Sequence, residues 1–220
     1  MTHYWPLSNQ TLKDEIGQSD MTQSNLTSFT SDRFGNAKSA LALNGGWTQV
    51  TSGIYFDTYE FSISVWVYQQ SLVSNERIID FSNGPSTDNL ELILISRNNK
   101  LIPRFSIFDN SSNSQVLLES SLDLTLNKWH FLSVTFNGSS LRIYVNGNLT
   151  GIATFNKILP NSLTTSQNYF GKSSYIWLDE IRFFSKSLKQ NEIILLMNDS
   201  YCEETTTVAP PLKNVRLTLV

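Results

Sequence analysis

The chain has 220 residues, of which 40% are hydrophobic and 12% aromatic, enough to bury one large β core or two small ones. Only 16% are charged, below the roughly 25% of an ordinary globular domain, and Ser, Thr and Asn take the remaining surface. The net charge is −3 with Lys and Arg scattered, which excludes the basic footprint of a nucleic-acid binder.

No apolar run approaches the roughly 18 residues of a membrane span. The first ten residues, MTHYWPLSNQ, carry neither a basic n-region nor an apolar h-region, so they do not read as a signal peptide. The expectation is either a cytoplasmic protein or a segment of a longer secreted chain. Cys202 is the single cysteine, so no internal disulfide framework is expected.

Residues 3–7 (HYWPL) form a short apolar strand, and the polar, turn-rich stretch 8–31 is expected to wrap the surface. DRFGN at 32–36 leads to a strand at 39–43, closed by the turn Asn44-Gly45-Gly46, and a short strand broken at Gly53 covers 48–56. In residues 61–68 (FSISVWVY), Phe61, Ile63, Val65 and Val67 share one face while Ser62, Ser64, Trp66 and Tyr68 share the other. Period-2 alternation of this kind is the strand signal. Strands follow at 77–81, 90–96 and 101–108, with 116–119 a further candidate. Pro103 cannot donate to a ladder and so marks an edge or a bulge.

Residues 129–147, WHFLSVTFNGSSLRIYVNG, alternate through two strands. Asn137-Gly138 and Asn146-Gly147 supply the positive φ that tight hairpin turns need. Residues 148–155 continue the meander, 156–167 form a loop, a strand starts at 169–171, and the last long strand spans 175–184 (YIWLDEIRFF). Residues 187–197 are the one helical candidate, with Ser187 and Gln190 at capping-box spacing. Residues 203–211 (EETTTVAPP) are Thr/Pro-rich like an extracellular linker, and Val215, Leu217 and Leu219 alternate again. One domain is therefore expected over residues 1–200, with 201–220 a linker and the candidate start of a following domain. About a dozen short strands and one short C-terminal helix predict an all-β fold, a two-sheet antiparallel β-sandwich.

Several stretches now match a family in their order. They are Tyr4-Trp5-Pro6-Leu7, Phe34-Gly35-Asn36-Ala37 leading to residues 40–45 (ALALNG), 61–67, Trp129-His130-Phe131 with 141–147, Phe170-Gly171, and 178–184 followed by Leu188 and Glu192-Ile193. On these the chain, over about residues 3–198, resembles the laminin-G-like, concanavalin A-like jelly-roll domains related to pentraxins. The resemblance implies that the first and last strands lie side by side. It leaves function open, because this fold hosts lectins, adhesion modules and enzymes.

Retaining glycosidases on this fold use a Glu-x-Asp-x-x-Glu strand motif, whose alternation puts the carboxylates on one face. No such spacing occurs: Glu91 has Ile93 two positions on, and Asp179 and Glu180, being adjacent on a strand, are expected to face opposite ways. His3 and His130 lie far apart in sequence and neither sits in a metal-type spacing. The chain therefore reads as non-enzymatic. The resemblance implies calcium held at a sheet edge by carboxylate and carbonyl oxygens. Asp14, Asn44, Gly45 and Asp179 are the candidate ligands, with the pairing of first and last strands bringing the two aspartates together. The other reading of Asp179 is a solvent-facing or salt-bridged strand residue.

Trp47, Tyr55, Trp66, Tyr68 and Tyr144 are the aromatic candidates for stacking on sugar, and most of them read as core. Trp47, beside the Gly46 turn, is the exposed candidate. Asn75, Glu76 and Arg77, at a loop-to-strand junction, are expected to add polar contacts, since rim loops are where specificity resides. Six Asn-x-Ser/Thr sequons, at Asn9, Asn25, Asn110, Asn137, Asn148 and Asn198, are candidate glycosylation sites of a secreted chain.

The expected function is a non-enzymatic recognition module, extracellular or at the cell surface, that binds a glycan or glycoprotein. It is expected to bind no nucleic acid, to insert in no membrane and to be linked to other extracellular domains. The alternatives are a protein–protein adhesion or structural module without a sugar site, or a glycan hydrolase or lyase, and a cytoplasmic location.

Overall fold

Alternating apolar residues pair the strands into two antiparallel sheets in a computed structural model that describes residues 1–23, 26–56, 60–84, 89–109, 114–154 and 163–199. Asn25, Asn110 and the Thr/Pro-rich stretch lie outside these residues. One sheet has eight strands. Its order is β14 (Asn148–Thr154), β13 (Ser140–Val145), β12 (Trp129–Asn137), β7 (Glu60–Gln69), β17 (Ile176–Phe184), β4 (Ala40–Leu43) and β3 (Thr27–Thr30), with β1 (His3–Trp5) also paired to β17. The other has seven strands, in the order β11 (Ser114–Glu119), β10 (Lys100–Asp109), β9 (Asn89–Arg97), β8 (Glu76–Ser82), β16 (Gln167–Ser174), β5 (Gly46–Val50) and β2 (Thr22–Gln23). A small ribbon pairs β15 (Leu163–Thr165) with β6 (Gly53–Phe56). The sheets face each other as a jelly-roll sandwich.

The inward set of β7, Phe61, Ile63, Val65 and Val67, packs in one core with Leu132, Val134 and Phe136 of β12 and with Ile79, Phe81, Leu92 and Phe105 of the facing sheet. Each such side chain contributes about 1.5–3 kcal/mol on burial. Trp5 is part of this core. Its ring lies edge-on to Phe170 (5.1 Å) and Phe183 (5.2 Å), and its indole N–H donates to the Ser19 carbonyl at 2.8 Å. That burial explains why β1 lies beside β17, with Trp5 opposite Ile181 and His3 opposite Phe183, as the family resemblance implied.

β7 flanks β17 on one side, while β4 pairs with Trp177 and Leu178 and β1 with residues 181–183. The ladder with β7 slips between Asp179 and Arg182, where Glu180 takes φ 53°. This bulge breaks the alternation expected of Asp179 and Glu180. Both now feed one ion-pair cluster: Asp179 accepts from Arg33, Glu180 from Arg182 and Tyr4, and Asp199 joins Arg33 to Arg182.

The outer face of the eight-stranded sheet carries its own smaller core. Helix α1 (Gln190–Met197) lays Ile193 and Leu196 on Phe131, Tyr144, Phe184 and Leu188. The helix begins three residues later than Ser187. Its start is set by Glu192, whose carboxylate accepts the Lys189 N–H at 2.7 Å and the Lys186 ammonium at 3.0 Å. Two further expectations shift. The stretch 8–31 contributes the short strands β2 and β3. Pro103 lies in β10, between β9 and β11, and its carbonyl accepts from Ser120 just past the last β10–β11 pair, Arg104 with Glu119. A residue's N and O point to the same side of a strand, so the missing donor falls where that ladder stops.

Candidate functional site

The middle of the seven-stranded sheet brings together residues that are distant in sequence. Register places Gln49, Tyr169, Asp80, Glu91 and Ser106 in one row across β5, β16, β8, β9 and β10. Thr48 and Val50 point inward, and Trp47 and Gln49 therefore lie on the outer face. On that face runs an unbroken chain of contacts. Trp47 meets Tyr169 edge-on at 5.1 Å, and the Lys172 ammonium sits 5.3 Å from the Tyr169 ring centroid. Lys172 Nζ reaches Asp80 Oδ2 at 3.0 Å, Arg77 Nε reaches the same oxygen at 2.8 Å, and Glu91 Oε1 lies 3.8 Å from Arg77. The cations and carboxylates border an open cleft of about 300 Å³, with Asn89 and Gln167 also lining it.

A bulge builds this cleft. β16 slips its register with β5 between Gly171 and Ser174, and Gly171, Lys172 and Ser173 take φ of 93°, 91° and 59°. Gly171 is required there, because a Cβ would stand 2.6 Å from Leu43 Cδ1. Two non-glycine residues in left-handed conformation cost about 1–3 kcal/mol each, and such strain gathers at bulges beside functional sites. The bulge turns Lys172 toward Asp80. It also sets Ser174 Oγ to accept the Arg77 N–H at 2.8 Å and donate to its carbonyl at 3.0 Å.

Burial, and then the Asp80 charge, raise the pKa of Glu91 above its usual value, while Arg77 and Lys172 oppose the shift. Asp80 and Glu91 stand directly opposite each other on β8 and β9. Directly opposed Cβ atoms are about 5 Å apart, the scale on which retaining glycosidases set nucleophile and acid. Asp80, however, is only 2% exposed, and both of its cations meet the oxygen Oδ2. Its geometry is that of a charge holding two cations in place.

Of the residues singled out from sequence, Trp47 and Arg77 join this face. Asn75 and Glu76 do not. Asn75 is an exposed turn residue with φ 63°, and Glu76 is 1% exposed, its carboxylate accepting the Tyr175 N–H at 2.6 Å. Neighbouring strand residues face opposite ways, so Glu76 and Arg77 are separated by the sheet itself. Tyr55 is in the main core and Tyr144 lies under α1, whereas Trp66 packs on Phe131 and Tyr68 on Trp177 on the outer face of the eight-stranded sheet.

The four residues suggested for calcium are not gathered into a cage. The Asp14 carboxylate accepts the N–H groups of Tyr4, Ile16, Gly17 and Ser19 and lies 2.6 Å from His3 Nδ1. Burial works to raise its pKa and is outweighed by these donors, so the net shift is downward. Asp179 is paired with Arg33 at 2.8 Å. Trp177 stands opposite Ala42 and Leu178 opposite Leu41. Asp179 therefore lies toward Ala40 and Asn44 past the far end of β4, about four residues away at about 3.3 Å each. Among the described residues, no group of three or more His, Cys, Asp or Glu is placed to hold a metal ion. Of the sequons, Asn9, Asn148 and Asn198 are exposed, and Asn137 is half-buried with its Oδ1 accepting the Ser140 N–H at 2.8 Å.

Asp80, Glu91, Tyr169 and Lys172 escaped the sequence reading because the register of three strands, β8, β9 and β16, assembles them. The usable signal was a lone carboxylate inside each of two apolar strands, RIIDF and LELILIS. A charge there must face outward or be paired.

No curated protein sequence matches the chain. Several solved structures share its fold. The binding domain of Paraclostridial Mosquitocidal Protein 1 matches with TM-score 0.71 at 16% identity, covering 90% of this chain and 52% of that one. The binding domain of Botulinum Neurotoxin DC, in complex with SialylT, matches with TM-score 0.68 at 19% identity over 91% of this chain and 51% of that one. Domain 4 of AbnA, a GH43 extracellular arabinanase from Geobacillus stearothermophilus, in complex with arabinotriose, matches with TM-score 0.69 at 16% identity over 89% of this chain and 97% of that one. The chain thus spans about half the length of the toxin binding domains it matches and nearly all of the arabinanase domain. The two toxin neighbours are binding domains, and among the described residues no helix is long and apolar enough to cross a membrane. Residues 43–194 match the concanavalin A-like lectin/glucanases superfamily, and with the jelly roll built from those strands the chain belongs to that family.

Proposed function

We propose that the chain is a non-catalytic glycan-recognition module of an extracellular protein, and that the cleft on the outer face of the seven-stranded sheet is its sugar site. The observation that carries this reading is the continuous run Trp47–Tyr169–Lys172–Asp80–Arg77–Glu91 beside an open cleft. Aromatic rings take the apolar face of a sugar, and fixed charged groups make its stronger hydrogen bonds. The cations and carboxylates balance within the cleft, which favours hydroxyl groups over a strongly charged ligand. The sialylated and arabinan ligands named for the neighbouring structures support a glycan as the ligand class, and the exposed sequons support the extracellular setting. The burial of Asp80 supports recognition over hydrolysis.

A glycan array probed with the protein, with and without calcium, tests the proposal, followed by titration of the best hit into the Arg77→Ala and Glu91→Gln variants. Each variant is expected to bind about tenfold or more weakly, since a hydrogen bond to a charged group contributes about 1.5–3 kcal/mol. A blank array, or variants that bind as the parent does, would overturn the assignment.

A protein-facing surface is the second reading, and one observation favours it. The edge strands β11 and β14 contact each other and expose Leu117, Leu149 and Ile152, with Leu122 beside them.

A further inference from the structure

The opposite face of the molecule holds a second arrangement of aromatic rings, far from the cleft and built by the other sheet. Register sets Trp129, Tyr68 and Trp177 in one row across β12, β7 and β17. Tyr68 and Trp177 stack at 4.5 Å with planes 12° apart, and Trp129 leans on Tyr68 at 5.5 Å. In the next row lies Trp66, with the Arg33 guanidinium 4.9 Å from its ring centroid. The same guanidinium sits 4.3 Å from the ring of Phe34, which is 68% exposed. A built turn fixes that exposure: the Asp32 carboxylate accepts the N–H groups of Phe34 and Asn36, each at 2.9 Å. Trp66, Trp129, Phe34 and Arg33 with Asn198 and Asp199 line an open, mostly apolar pocket of about 450 Å³.

We infer that this pocket and the adjoining row form a second saccharide site, for a neutral sugar ring, independent of the cleft. The charges at its rim are already balanced among themselves. Arg33 is paired with Asp179 and Asp199, and Arg182 with Glu180 and Asp199. An anionic ligand would meet the Asp199 carboxylate, and a cation would compete with the arginines that hold it. A neutral ring fits both constraints. Its C–H face lies on the Trp129 ring, beside the exposed Phe34, and its hydroxyls donate to Asp199 at the pocket mouth. Asp199 Oδ1 is 3.7 Å from Arg182, beyond hydrogen-bond length, and so retains acceptor capacity. Tyr68 and Trp177 cover one face of each other's ring, and this stack buttresses Trp129 from the side away from the pocket.

The protein has five tryptophans, and their indole N–H signals in a two-dimensional NMR spectrum distinguish the two faces. Cellotriose, maltotriose, xylotriose and arabinotriose are titrated in turn. The expected result is a saturable shift of the Trp66, Trp129 and Trp177 signals with at least one of them. That shift persists in Arg77→Ala, which disables the cleft, and weakens about tenfold or more in Trp129→Ala. Trp177→Ala, a partly exposed position, serves as the second variant should Trp129→Ala lose its native spectrum. No shift of these three indoles with any of the four sugars would overturn the inference, as would a shift confined to Trp47. Concentration-dependent shifts without sugar, accompanied by faster sedimentation, would assign the face to a second copy of the chain and overturn it equally.

Discussion

The two outer faces of this sandwich solve the same problem in different ways. The seven-stranded sheet covers its outer face with long charged side chains, in a row of Lys172, Asp80, Arg77 and Glu91 beside a strained bulge. The eight-stranded sheet puts aromatic rings on its outer face, roofs one end with α1 and leaves the Trp129–Tyr68–Trp177 row at the other. One face is shaped by backbone conformation and the other by side-chain packing. They should therefore fail under different substitutions.

Removing the roof should have the largest effect. Phe131 is fully buried beneath α1, and Phe131→Ala is expected to lower stability by about 3–5 kcal/mol. Chemical denaturation measures the loss, and hydrogen exchange should show α1 opening while β8 and β16 keep their protection. Uniform loss of protection would mean that the two faces are one cooperative unit. The bulge comes next. Gly171→Ala combines φ 93° with a Cβ 2.6 Å from Leu43 and is expected to cost about 1–3 kcal/mol. It should also alter sugar binding at the cleft and leave the indole signals of Trp129 and Trp177 in place.

The third effect is a slope with pH, small at any one pH step. Burial, and then the charge of Glu180, raise the Asp179 pKa from 3.8 to about 7, with Arg33 opposing. Between those values the native state holds more protons than the unfolded one, so stability falls as pH rises, by at most about 1.4 kcal/mol per unit. Asp179→Asn should make the slope shallower. Glu76 and Glu91, raised as well, add slope of the same sign. Asp14 acts in the opposite sense: its lowered pKa gives stability above 3.8 that is lost on further acidification. Unfolding curves collected across this range for parent and variant provide the check, and an unchanged slope would remove Asp179 from the account.

The fold was legible because alternation is local. The set Phe61, Ile63, Val65 and Val67 could be assigned to one face from eight residues of sequence, and it lies in the core. The family resemblance supplied the pairing of β1 with β17, which no local pattern contains. The cleft was half legible. Trp47 and Arg77 stood out as an aromatic beside a turn and a charge at a strand entry. Asp80, Glu91, Tyr169 and Lys172 depend on which strands become neighbours and on a slip between Gly171 and Ser174. The same limit explains Asp179 and Glu180: strict alternation sends them apart, and the bulge at Glu180 brings both to one cluster.

The pairing of β1 with β17 also has a consequence in time. Trp5 is opposite Ile181, 176 positions later (181 − 5). At a synthesis rate of roughly 5–20 residues per second, the first strand leaves the ribosome on the order of ten seconds or more before its partner is made. During that interval an apolar indole that ends wholly inside the molecule has no permanent place. The sheet between β7 and β4 is completed only when the last strand arrives, so this domain should finish folding as a late event and depend on whatever shelters its N-terminus until then.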